Sequence, residues 1–241
     1  MTSPAHPAHP GHAGHAGHAG PVGPPAVRPY RPDDLDAVLD ICVRTADAGA
    51  DVRGRYRSDR LMGDLFAAPY VTHEPHLAHV VDDGSGTAVG YVLGTADTER
   101  FVRWYRAVWI PATADRCPEP ADPPASPDDV MLALHHDPER MLLPQLAAYP
   151  AHLHIDLLPD HQRQGWGAGL VDAFLAGLRT AGAPAVHLTM LTVNTSARAF
   201  YDRLGFTPID VPDPGPVTYL GRSTAPLALA DGKSFTGHRS R

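Results

Sequence analysis

The stretch "HLHIDLLPDHQRQGWGAGLVDAFLAGLRTAGAPAVHLTMLTV" constrains this chain more than any other. An apolar, β-branched run ends at Leu158. Eight residues from Gln162 to Gly169 then carry three glycines, and Leu170, Val171, Phe174, Leu175 and Leu178 follow on one helical face up to Gly182. A second strand-like run, "AVHLTMLTV", comes next. A strand, a helix and a strand in that order make a parallel pair, because the helix carries the chain back to its starting edge. Glycine inside a helix costs about 1 kcal/mol against alanine, so three of them at a helix entrance need a reason. The first N–H groups of a helix have no intrahelical partner and lie at the positive end of its dipole. Gly165, Gly167 and Gly169 would let a phosphate approach those groups with no Cβ in the way, and Gln162 and Arg163 can add side-chain donors. The pattern is neither GxGxxG nor a triphosphate loop, since no GKS or GKT follows.

The rest of the chain builds on that unit. Val27 to Arg31 reads as a first strand. Asp33 is a candidate N-cap for a helix with Leu35, Val38, Leu39, Cys42 and Val43 on its apolar face and Gly49 as its stop. "SDRLMGDLFAAPY" predicts a helix capped by Ser58 and stopped at Pro69, and the runs on either side of "DDGSG" predict a hairpin. "ERFVRWYRAVW" predicts a helix. Residues 111–127 hold six prolines and predict an irregular loop. "PDDVMLALHH" and "PERMLLPQLAAY" predict two short helices, "TSARAFYDRLGF" a helix closed by Gly205, and "FTPIDV" and "VTYLGR" a final pair of strands. The fold class is α/β with a mixed central sheet flanked by helices, and residues 111–150 form a loop and helical insertion before the strand at 151. Residues 1–26, with six prolines and five of the fifteen histidines, predict a disordered arm in front of a domain over 27–222, and 223–241 a loose tail.

A net charge of −7 argues against binding nucleic acid through its phosphates, and mildly favours cationic acceptors such as polyamines or lysine-bearing chains. Two cysteines make neither a disulfide framework nor a zinc spacing. No run has the length of a membrane span, and the N-terminus lacks the basic-then-apolar order of a secretory leader, so the expected compartment is the cytoplasm.

The pattern Gln162-x-x-Gly165-x-Gly167, an amphipathic helix, a strand and then "NTSARAFYDRLGF" resembles the GCN5-related N-acetyltransferase family. The resemblance implies that parallel strands splay apart before the glycine turn, and that acetyl-CoA is the cofactor. The turn (Gln162, Arg163, Gln164, Gly165, Trp166, Gly167, Ala168, Gly169) would hold the pyrophosphate, Leu157 and Leu158 the pantetheine amides, and Asn194 and Tyr201 would lie along the cofactor. "VRPYRPDDLDAVLDIC", "GYVLGTADTERF" and "WIP" are similar to the acetyltransferase-like C-terminal domain of O-GlcNAcases and its free-standing bacterial relatives. The animal domain has lost the cofactor turn; this chain keeps it. The implied activity is transfer of acetyl from acetyl-CoA to an amine the sequence does not name. The alternative is a non-catalytic acyl-CoA-binding or interaction module. The resemblance also allows a homodimer.

Acetyl transfer to an amine needs a polarised thioester carbonyl, a neutral amine, a proton for the leaving thiolate and an acceptor held in line. A free N–H near Leu157 can supply the first. Tyr201 resembles the family's thiol proton donor; read without the family it is a helix-face aromatic of the core. Asp97, ending "GTAD", and Asp156, in mid-strand, are the candidate bases, each with a cap or structural hydrogen bond as its plain reading. His152 and His154 share one strand face by the period of two. Trp104, Tyr105 and Trp109 are candidates for an acceptor wall or for core.

Overall fold

Every residue of the strand Ala88–Thr95 (β3) is buried, so both faces of its sheet are covered. In the computed structural model, which describes residues 23–227, that sheet has seven strands: Ala26–Pro29 (β1), His79–Asp82 (β2), β3, Ala151–Leu157 (β4), Ala185–Leu191 (β5), Thr207–Ile209 (β6) and Val217–Ser223 (β7). Their order is β1-β2-β3-β4-β5-β7-β6. All neighbours run antiparallel except β4 and β5, which are joined by the crossover helix Trp166–Thr180 (α7). The mixed α/β sheet flanked by helices is the fold class the sequence implies.

The helices Leu35–Thr45 (α1), Arg60–Phe66 (α2), Ala68–His73 (α3) and Thr98–Trp104 (α4) cover one face, where Ile41, Tyr91, Leu93 and Phe101 are buried. α7 and Thr195–Arg203 (α8) cover the other, over Leu170, Phe174, Leu178 and Phe206. None of the described helices is long and apolar enough to cross a membrane.

Several expectations shift in detail. Asp33 does not cap α1; it lies in a single tight turn, Pro32–Asp34. The neighbouring Asp34 carboxylate accepts from the Arg31 N–H and from both ends of the Arg28 guanidinium, pinning β1 to the helix entrance. Pro69 does not stop a helix. The chain breaks at Ala67, and Pro69 sits in the first turn of α3, where its missing N–H costs nothing. Past α4 the helix runs through a π turn, Tyr105–Trp109, to Ile110–Thr113 (α5), three residues into the expected loop. Pro127–His136 (α6) forms as expected with Ser126 as N-cap (3.1 Å to the Asp129 N–H). "PERMLLPQLAAY" makes only two 3-10 turns, because Pro138 and Pro144 each restart the chain.

The expected arm and tail lie outside the described residues except at their inner ends, which belong to the fold. Ala26 opens β1, Ser223 ends β7, and the buried Thr224 hydroxyl donates to the Ala183 carbonyl at 2.8 Å.

The two layers meet most tightly at Gly94, where an added Cβ would lie 2.2 Å from the His152 carbonyl oxygen and 2.5 Å from the Phe174 ring. Gly94→Ala is expected to destabilise the fold by about 3 kcal/mol in a urea titration, the cost of overpacking against rigid backbone.

Candidate active site

β4 and β5 pair only at Ala151↔Val186 and His152↔His187. Beyond those two registers they diverge, while β3 follows β4 to Leu157 and β7 follows β5 to Leu191. The result is a wedge open at the carboxyl end of β4, the splay that the family resemblance implies. Leu158 donates its N–H to the Val89 carbonyl of β3 (3.0 Å). Backbone direction alternates along a strand, so the N–H of Leu157 points the other way, into the wedge. The Leu157 carbonyl on that side accepts from the Gln162 side-chain amide (2.9 Å), which ties the glycine turn to the strand it follows.

The three glycines of the turn answer to three different constraints. Gly165 is the N-cap of α7 at φ 89°, with nothing within 4 Å of where a Cβ would stand. It supplies the left-handed backbone and leaves open space before the helix. At Gly167 a Cβ would meet the Phe200 ring of α8 at 3.0 Å, so this position brings α7 and α8 together. At Gly169 a Cβ would meet Val27 of β1 at 3.3 Å. Gly169 therefore serves packing, which corrects the reading of all three as clearance for a phosphate. The N–H groups of Ala168 and Gly169 are already bonded to the Gly165 carbonyl (3.1 and 3.2 Å). Those of Gly165, Trp166 and Gly167 meet no backbone acceptor among the described residues and form the free cradle. Arg163, at φ 59°, starts the reversal that exposes them. Gln164 faces backward, donating to the Asp160 carbonyl (2.8 Å) while its side-chain oxygen accepts from the Trp166 indole (3.3 Å).

A cavity of about 720 Å³ extends from the wedge across the α1 face of β4. Asp156, Asn194 and Tyr201 all line it. Asn194 also caps α8, its side-chain oxygen accepting from the Ala197 N–H at 3.0 Å. Burial pushes the Asp156 carboxyl up to about 7, against a hydrogen bond from the buried Tyr91 hydroxyl (2.6 Å) that favours the ionised form. Burial, and after it the Asp156 charge, push the Tyr201 phenol well above its ordinary value, so Tyr201 keeps its proton. Cys42, beside Tyr91, is pushed up to about 12 by burial and is an unreactive thiol.

His152 and His154 line the same wall, and the Tyr70 hydroxyl lies 2.9 Å from the Nε2 of each. The hydrogen directions can be assigned. Thr98 has one hydroxyl proton and gives it to the Pro150 carbonyl (2.8 Å), so it accepts from His152 Nδ1–H (2.8 Å). Neutral His152 then accepts the Tyr70 proton at Nε2, and Tyr70 accepts from His154 Nε2–H. Burial lowers both imidazoles, His154 to about 4. They are neutral spacers in a fixed chain, with the Nδ1 lone pair of His154 left over.

Asp97 does not join this group. It is the N-cap of α4, its carboxylate accepting from the Arg100 N–H (2.9 Å), and it lies outside the cavity. Of the three aromatics only Tyr105 lines the cavity. Trp104 stacks on His73 with ring centres 4.5 Å apart, and the Trp109 indole donates to the Asp64 carbonyl (2.9 Å). Sequence reading missed Tyr91 and Tyr70, which looked like ordinary strand and helix aromatics, and Arg140, a cavity residue from the insertion.

The family model described as "FR47-like protein" matches residues 146–212, the segment that holds β4, the glycine turn, α7, β5 and α8. The solved structure of SsHAT is 64% identical, with a TM-score of 0.82, over 85% of this chain and all of that one. Protein O-GlcNAcase of Rattus norvegicus is 26% identical over 201 residues, 82% of this chain. The chain spans only 22% of that curated relative's length. The PaiA N-acetyltransferase of Thermoplasma acidophilum, solved with coenzyme A, shares the fold at 12% identity and a TM-score of 0.50, over 83% of this chain and 98% of that one. With its splayed parallel strands and its glycine turn opening α7, the chain belongs to the GCN5-related N-acetyltransferase family.

Proposed function

We propose that this protein is an acetyl-CoA-dependent N-acetyltransferase acting on a primary amine. The observation that carries the reading is the splayed end of β4: Asp156 and Tyr201 line the cavity there, and the inward Leu157 N–H and the unbonded N–H groups of Gly165–Gly167 follow it along the chain. The residues fit the cofactor. The cradle offers unbonded donors at a helix N-terminus, with open space at Gly165, to a pyrophosphate. The unpaired edge of β4 offers alternating donors and acceptors to a chain of amides.

Bound acetyl-CoA would supply the activated acetyl group, the amine nitrogen bonding to the carbonyl carbon as the carbon–sulfur bond breaks. The Leu157 N–H is the donor aimed at the carbonyl oxygen as negative charge gathers there. Asp156, poised near 7, takes the proton that an ammonium must lose before its nitrogen can attack. Tyr201, held in its protonated form, delivers a proton to the leaving sulfur.

Calorimetric titration with acetyl-CoA tests the first half. The wild type is expected to bind, and Gly165→Glu, which puts a carboxylate into the cradle, to lose most of the affinity. Absence of binding to the wild type would favour an interaction module instead. Tyr201→Phe is expected to lower kcat by about 10²-fold, the usual yield of a general acid, with acetyl-CoA affinity kept; unchanged turnover removes it from that role.

Asp156 carries a linked pair of outcomes. Its folded-state value lies above the ordinary 3.8, so the wild type loses stability as pH rises from about 4 to about 7, while the unfolded carboxyl ionises and the folded one resists. Asp156→Asn is therefore expected to melt above the wild type at pH 8, with the gap closing by pH 4, although it removes turnover. The acid limb of kcat/KM is expected near 7 in the wild type, and higher in Tyr91→Phe, which loses the hydrogen bond that favours the carboxylate.

A further inference from the structure

Arg140 brings a guanidinium to the cavity wall without a carboxylate of its own. Its Nε donates to the Leu134 carbonyl near the end of α6 (3.2 Å), which fixes the stem. Neither terminal nitrogen has an ion-pair partner among the described residues. The other arginine on the cavity, Arg55, faces Asp47 at 3.1 Å, with both side chains more than half exposed. Arg140 is half-buried, where an unpaired charge is costly and a carboxylate partner correspondingly valuable. With Nε engaged, Nη1 and Nη2 remain to grip two oxygens.

Arg140 and Asp156 line the same cavity. The Arg140 charge is felt at Tyr70, Tyr105, His152 and His154. At Asp156 the burial and the Tyr91 and Thr45 hydroxyls act instead. The neutral His154 side chain lines the same cavity and lies one strand period, about 6.7 Å, from Asp156. Met62, Leu65, Phe66, Met131 and Met141 line the same cavity and offer apolar contact to whatever spans it.

Resting on the acetyl-transfer reading above, we infer that the acceptor is a primary amine with a carboxylate at its far end and an apolar spacer between them: the amine at Asp156, the carboxylate on Nη1 and Nη2 of Arg140. This reverses the expectation drawn from the net charge of −7. A polyamine would bring a second cation against an arginine that has no counter-ion.

The test uses the full chain saturated with coenzyme A, titrated calorimetrically with N-acetyl-aminohexanoate and, separately, with its carboxamide. The acid is expected to bind at least about tenfold more tightly, the scale of a partly desolvated charge pair. Arg140→Gln is expected to abolish that difference and Arg140→Lys to keep part of it, with coenzyme A affinity unchanged in both. Acid and amide binding alike, neither binding, or a preference that survives in Arg140→Gln would overturn the assignment. Thiol release from acetyl-CoA is then followed with aminohexanoate, its carboxamide, hexylamine and hexanediamine. Fastest release with aminohexanoate supports both readings. Release with none of the four, beside an intact carboxylate preference in binding, counts against acetyl transfer and leaves the Arg140 site standing.

Discussion

The structure turns on the early end of one parallel pairing. After His152↔His187, β4 and β5 give up backbone hydrogen bonds that a regular sheet would keep, and unpaired backbone groups must find other partners. On β4 one is found at once, because the Gln162 side chain reaches back to the Leu157 carbonyl. The same divergence opens the cavity that Asp156 of β4 and Met190 of β5 line, and the chain enters α7 a few residues beyond it. A straight continuation of β5 along β4 would pair the inward Leu157 amide and close the cavity, so both are consequences of one choice in the sheet.

Within the cavity a single cause sorts the titratable groups. Low polarity disfavours whichever form is charged. It pushes Asp156 up to about 7, holds Tyr201 protonated and drives His154 down to about 4. The histidines, which an unfolded chain would protonate near neutrality, are thereby held neutral, and the carboxyl is brought to titrate near neutrality instead. Tyr91 tempers the effect: its hydrogen bond keeps the ionised carboxylate accessible near pH 7. Two residues that look alike by burial, Tyr91 and Tyr201, act differently because one is bonded to Asp156 across the sheet and the other faces the cavity.

The parts of the site that lie close together in the chain were legible in the sequence. The β4–turn–α7–β5 unit is local and lands where the periodicities place it, and the Asn194 to Tyr201 spacing, which the family resemblance implies, puts both residues on the cavity. Tyr91 with Asp156 is not local. Their contact depends on the register of β3 against β4, set by residues 65 positions apart, and no spacing in the chain encodes it. Arg140 enters through an insertion whose prolines break up periodicity, so nothing in its neighbourhood marks it as a cavity residue. Asp97 shows the opposite error. An aspartate just before a helix that begins with Thr98 satisfies the N-cap rule, and that explanation already accounts for its carboxylate.

The glycine turn shows why such motifs are hard to read for function alone. A Cβ at Gly167 or Gly169 would press on Phe200 or Val27 whether or not anything binds, so a fold without its cofactor would still favour glycine there. Gly165 is different. No side chain crowds it, and its left-handed φ serves the reversal that turns the unbonded N–H groups of the helix entrance outward. Positive φ with no neighbour within 4 Å is shared by Gly49, Gly54, Gly86, Gly182 and Gly215; what sets Gly165 apart is that its N–H and the two that follow open a helix with no backbone acceptor among the described residues.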